Sequence, residues 1–161
     1  MLRLVEAKDA QAIVDIYNYY IEHTAVTFEE EKLNVDDMLL RINKIQQVGH
    51  IWLVAELNNK VVGYAYSAPW RERSAYRFSC EITVYLSADA KGKGLGTSLY
   101  QALFVKLKNM DIKTVIGGIT LPNDASIALH EKLGMEKVAH FTDVGLKFEQ
   151  WLDVGYWQVN L

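Results

Sequence analysis

The sequence predicts a mixed α/β fold, a sheet with helices covering its faces. Three observations carry this. Two strand–loop–helix units follow one another over 78–108 and 114–133. A strand hairpin lies ahead of them at 51–67. Two helical stretches and a short leading strand fill the region before that. No low-complexity linker or internal repeat divides the 161 residues, so one domain spanning 1–161 is expected.

Each element has its own signal. Residues 2–6 alternate as a short strand. Asp9 is placed to cap a helix to about His23, with Ile13, Ile16, Tyr17, Tyr20 and Ile21 at helical spacing. A second helix begins near Asn34, carries Val35, Met38, Leu39, Ile42 and Ile45, and stops before Gly49. Strands 51–57 and 61–67 flank Asn58-Asn59-Lys60, a hairpin signal. Pro69 to Arg73 reads as a loop and Phe78 to Leu86 as a long strand. Thr97 to Lys108 is helical, with Leu99, Leu103 and Leu107 on one side. Thr114 to Ile119 is a strand broken by Leu121-Pro122. Asn123 or Asp124 caps a helix to Leu133, with Gly134 at its end. Strands near 136–144 and 148–160 complete the chain.

Composition narrows the function. Half the residues are apolar and 23% are charged, as is ordinary for a soluble globular protein. A net charge of −3 gives no electrostatic footprint for nucleic acid. No run of about 18 apolar residues predicts a membrane span, and the N-terminus lacks the apolar core of a signal peptide. The lone Cys80 rules out an intrachain disulfide and suits a reducing cytoplasm. Its place on an apolar strand face reads as a core thiol rather than a nucleophile.

The most informative stretch is Lys91-Gly92-Lys93-Gly94-Leu95-Gly96-Thr97, between a strand and a helix. Glycines let the backbone approach an anion, and loop and helix N–H groups then point at it. Two familiar phosphate motifs fail here. Gly96 is followed by Thr97 and Ser98, with no Walker lysine. The third glycine comes one residue too early for the dinucleotide fingerprint.

The stretch resembles the acetyl-coenzyme A motif of the GCN5-related N-acetyltransferases, [RQ]-x-x-G-x-[GA], with Lys91 in place of the usual Arg or Gln. Further blocks resemble the phosphinothricin and methionine sulfoximine acetyltransferase branch. They are Trp70-Arg71-x-Arg73-x-Ala75-Tyr76-Arg77, Glu81-x-x-Val84-Tyr85, Asn123-x-x-Ser126-x-x-Leu129-His130-Glu131-x-Leu133-Gly134 and Val144-Gly145-x-Lys147-x-x-x-Trp151-x-Asp153. The resemblance implies a mostly antiparallel sheet with two strands splayed at the cofactor site, acetyl-CoA as co-substrate without a metal, and a homodimer. It implies that Lys91, Gly92, Lys93, Gly94, Leu95, Gly96 and Thr97 wrap the pyrophosphate. Val84, Tyr85 and Leu86 would lie beside the pantetheine arm, with Asn123 and Lys132 as further contacts. Asn123 can also cap its helix, and Lys132 also reads as a solvated helix lysine. Ser74, Ala75 and Tyr76 would line the substrate site, which Phe28 would close.

Glu81 stands in an apolar strand whose alternation sets Ser79, Glu81, Thr83 and Tyr85 opposite Phe78, Cys80, Ile82 and Val84. It reads either as a strand carboxylate or as a general base for the attacking amine. His130 reads either as a packing histidine or as the acid that protonates the departing thiolate, with Tyr85 the alternative acid. The segment Trp70 to Arg77 forms either a solvated charged loop or a substrate grip, in which Arg71, Arg73 and Arg77 hold a carboxylate and Trp70 and Tyr76 shape the side-chain pocket.

The reading is an acetyl-CoA-dependent N-acetyltransferase acting directly on the α-amine of a small amino acid analogue. The alternatives are a protein N-terminus, lysine or other amine as acceptor, and a non-catalytic acyl-CoA sensor. The expected partner is a small-molecule amine, with no nucleic acid and no membrane.

Overall fold

A computed structural model describes residues 1–161. The strands are β1 (Leu2–Leu4), β2 (Trp52–Leu57), β3 (Lys60–Pro69), β4 (Ser79–Leu86), β5 (Thr114–Leu121), β6 (Glu136–Lys147) and β7 (Gln150–Asn160). The helices are α1 (Ala10–His23), α2 (Val35–Gln47), α3 (Leu95–Asn109) and α4 (Asp124–Lys132). The strands form one seven-stranded sheet in the order β1-β2-β3-β4-β5-β7-β6. Every pairing is antiparallel except β4 with β5. No helix is long and apolar enough to cross a membrane.

Period-two alternation on β2 shows how the sheet separates two cores. Trp52 and Val54 face α1 and α2, in a cluster with Ile13, Tyr17, Tyr20, Ile21, Met38 and Ile42. Leu53 and Ala55 face α3, with Cys80, Ile82, Leu99, Leu103 and Leu107. Leu99, Leu103 and Leu107 are completely buried, which stabilises the fold by about 1.5–3 kcal/mol for each such side chain. Cys80 is also completely buried, and burial pushes its thiol up to about 12. It is a core residue, not a nucleophile.

The predicted elements are all present, with shifted ends. The β2–β3 hairpin turns through Asn58 and Asn59, both at positive φ (51° and 61°), as a tight primed turn requires. Asn34 caps α2 by accepting from the Asp37 N–H, and Gly49 leaves it at φ 80°. Asp9 does not cap α1 with its side chain. Its carboxylate instead accepts two 2.8 Å bonds from Arg3 and one from the Glu6 N–H, because a charged partner outcompetes the helix amides. Helix α3 begins at Leu95, before the expected Thr97, so Gly96 lies in its first turn. Strand β6 continues to Lys147 and turns through Phe148 and Glu149, at φ 52° and 60°. That turn uses neither Gly nor Asn, so composition gave no sign of it.

Candidate active site

The site lies where β4 and β5 part. Their parallel pairing covers only Ser79–Glu81 against Thr114–Ile116. Residues 82–86 of β4 and 117–121 of β5 then face a gap. Backbone groups along such a gap need another partner. Glu81 is the last residue of β4 paired with β5, which puts it where the two strands begin to part.

Two cavities meet in this gap. The first, of about 300 Å³, includes Glu81, Thr83, Tyr85, Asn123, His130 and Tyr156 in its walls, with Phe28 above. The second, of about 360 Å³, is walled by Leu86, Lys91, Gly92, Gly94, Gly96 and Thr97, with Leu95 beside them. Val84, Tyr85 and Asn123 line both. Lys93 and the exposed Lys132 line neither.

The second cavity has the physical features of an anion cradle. Gly92 and Gly94 are left-handed, at φ 75° and 76°, with open space where a Cβ would stand. Helix α3 then starts without a side-chain cap and without an acidic residue in its first turn. Its first N–H groups are therefore free for an anion, with the helix dipole behind them. Lys91 adds positive charge, its Nζ 5.1 Å from the centre of the Tyr20 ring. The chain thus fits a pyrophosphate at the loop and an extended amide-bearing arm in the gap.

In the first cavity Glu81 is half-buried. Burial raises its carboxyl above the ordinary range, and the Arg71 charge offsets part of that rise. A carboxylate tuned this way accepts a proton closer to neutral pH. Arg71 itself is not in the cavity wall. Its guanidinium lies 4.6 Å over Trp70, whose ring meets Tyr156 edge-on at 5.6 Å. Arg73, Ser74, Ala75 and Tyr76 sit on an exposed turn beyond, outside both cavities.

His130 is 3% exposed and burial lowers its pKa. Its Nδ1 lies 2.7 Å from the Ser126 carbonyl oxygen, so Nδ1 carries the hydrogen and donates it there. The neutral ring then offers only a lone pair at Nε2. Burial works against the imidazolium and the Ser126 hydrogen bond works for it, with burial the larger effect, so the packing role that the sequence also offered accounts for what His130 touches. Burial also raises Tyr85 well above the ordinary phenol. Asn123 caps α4 through its Oδ1, accepting from the Ser126 N–H at 3.1 Å, which leaves its amide N–H₂ to donate into either cavity.

Sequence reasoning missed Tyr156 and two glycines of β5. A Cβ at Gly117 would stand 2.6 Å from His130 Nε2, and one at Gly118 3.0 Å from the Tyr156 ring. Both rings come this close to β5 because no side chain stands at those two positions. Adjacent glycines in a β-rich run were the available signal for close approach.

The fold and the split strand define a coenzyme A-dependent acyltransferase. Residues 13–135 match the acetyltransferase (GNAT) family, and the chain belongs to it. It is 38% identical over 157 residues to the phosphinothricin N-acetyltransferase of Streptomyces viridochromogenes, covering 98% of this chain and 85% of that one. It is 34% identical to the L-methionine sulfoximine/L-methionine sulfone acetyltransferase of Salmonella typhimurium, covering 99% and 94%. A phosphinothricin acetyltransferase of Sinorhizobium meliloti, solved in complex with acetyl-CoA, superposes with a TM-score of 0.97 at 34% identity, covering 100% of this chain and 88% of that one. The protein is an acetyl-CoA-dependent N-acetyltransferase.

Proposed function

We propose that this enzyme acetylates the α-amine of a small amino acid analogue of the phosphinothricin, methionine sulfoximine or methionine sulfone type. The observation that carries the reading is the position of Glu81, at the end of the β4–β5 pairing and in the wall of the smaller cavity. The names of the full-length relatives support the acceptor class.

Bound acetyl-CoA supplies the activated acetyl group. The remaining work belongs to the chain. Gly92 to Thr97 hold the pyrophosphate by backbone N–H groups. Val84 offers its backbone to the pantetheine amides, while the Leu86 carbonyl already accepts from the Tyr20 hydroxyl. Glu81 takes the proton from the acceptor ammonium and leaves an amine able to attack. Tyr85, which lines both cavities, is better placed than His130 to return a proton to the leaving sulfur. Arg71 tunes Glu81 and, with Arg73 and Ser74 to Tyr76, draws the acceptor carboxylate toward the entrance.

Thiol release with methionine sulfoximine, methionine sulfone, phosphinothricin and an N-terminal peptide tests the reading. Turnover of the three small acceptors is expected. Turnover of the peptide alone would replace the small-acceptor reading, and silence with all amines would favour an acyl-CoA sensor. A homodimer is part of the same reading. Val144, Leu146 and Trp151 support it, being 52%, 52% and 63% exposed on one end of the β6–β7 hairpin. Sedimentation velocity checks it. A cytoplasmic setting is supported by the single reduced cysteine.

A further inference from the structure

Lys147 is the most completely buried charged side chain, 2% exposed near the end of β6. Burying an ammonium is costly unless it is paired or hydrogen-bonded. Here it has no salt bridge, and its Nζ donates to the Thr27 carbonyl oxygen at 2.9 Å. Burial lowers its pKa, while Glu30 and Glu29 act against that. The segment it grips, between α1 and α2, carries Phe28 into the wall of the acceptor cavity that Glu81 also lines.

Other contacts hold the same segment from different elements. The Tyr17 hydroxyl meets Thr27 Oγ1 at 2.8 Å, and Thr120 Oγ1 donates to the Val26 carbonyl at 3.3 Å. Glu29 is bound by Tyr17 and Arg41. Two residues before Lys147, Gly145 leaves room for the Phe28 ring, which a methyl group there would overlap. One face of β6 therefore supplies both a seat for Phe28 and a buried cation holding the neighbouring backbone. Neither residue lines the cavity.

We infer that Lys147 is a positioning residue for the acceptor site: it latches the segment 26–29 onto β6 and so fixes Phe28 in the wall of the cavity that holds Glu81. This rests on the first cavity being the acceptor site. The latch predicts an asymmetric effect, because Thr27 and Phe28 line the acceptor cavity and not the coenzyme A cavity, which the segment reaches only through Val26.

Lys147→Met keeps an unbranched side chain, one heavy atom shorter, and removes the charge and the hydrogen bond. It is expected to raise the acceptor KM about tenfold, with the acetyl-CoA KM within about twofold of wild type. In a Phe28→Ala background the same change should add little, since both act through one wall. Hydrogen exchange gives a readout free of any substrate. Amides of 26–29 should lose protection in Lys147→Met while those of β4 and α3 keep theirs. Equal loss in both KM values, multiplying effects of the two substitutions, or unchanged protection at 26–29 overturns the latch. If Lys147→Met does not fold, Gly145→Ala takes its place. It should displace Phe28 and raise the acceptor KM alone, and an unchanged acceptor KM counts against the latch. Should exchange show the latch while no small amino acid is turned over, the acceptor assignment fails and the latch stands.

Discussion

At the scale of single residues, burial sets the working range of Glu81. Its carboxyl lies above the ordinary value of 4.5 because desolvation outweighs the attraction of Arg71. A base works only when deprotonated, so acceptor kcat/KM should rise with pH through that elevated value. Arg71→Met removes the attraction and should move the acidic limb to still higher pH. A pH profile of both proteins checks this, and coincident limbs would remove Arg71 from the chemistry. Glu81→Gln should lower kcat about 10²- to 10³-fold with acetyl-CoA affinity retained, as steady-state kinetics and calorimetry would show. An equal loss of affinity and turnover would make Glu81 structural.

At the scale of elements, the glycine loop was legible because its conformation is written in its residues. Gly92 and Gly94 have the left-handed φ that glycine spacing announces. Gly94→Ala should cost about 1–2 kcal/mol of local strain and raise the acetyl-CoA KM at least tenfold, with the acceptor KM little changed. An unaltered acetyl-CoA KM would show that the loop does not bind it. The elements were legible for a similar reason, since alternation and helical spacing record which face is buried, whereas the lining of the second cavity was legible through the family resemblance and much of the first was not. What escaped depends on contacts between distant segments. Asp9 turns away from α1 toward Arg3. The His130 tautomer is set by the Ser126 carbonyl. The seat of Phe28 is on β6, more than a hundred residues away. Tyr156 enters the cavity only because β7 inserts between β5 and β6.

At the scale of the molecule, two features bear on stability. Asp9 is 3% exposed, and although burial alone would raise it, the Arg3 hydrogen bonds, the Glu6 N–H and the Arg3 charge hold it below 3.8. A depressed carboxyl contributes stability above its unfolded value, and that contribution disappears as pH falls through the folded value. Asp9→Asn should therefore cost about 3 kcal/mol at pH 7, with the gap from wild type closing below about pH 4. Denaturant titrations at several pH values check it, and a gap that does not change with pH would refute it. The second feature is the half-open sheet. At a hundredfold excess over its dissociation constant, acetyl-CoA should add about 2.7 kcal/mol, or roughly 5–10 °C in Tm. Protection against hydrogen exchange should appear at 82–86 and 117–121, where the strands part.

That parting also divides the chain. Strands β1 to β4 come from residues before 87, and β5 to β7 from residues after 113. The only ladder joining the two groups is three residue pairs long. The molecule is therefore built as two consecutive rafts with a berth between them, and the co-substrate is the missing plank. Each turnover is then a small act of assembly and disassembly. With acetyl-CoA in that berth, docking would complete the architecture and departure of free coenzyme A would reopen it, so product release should be paced by how readily the protein gives up a piece of its own framework.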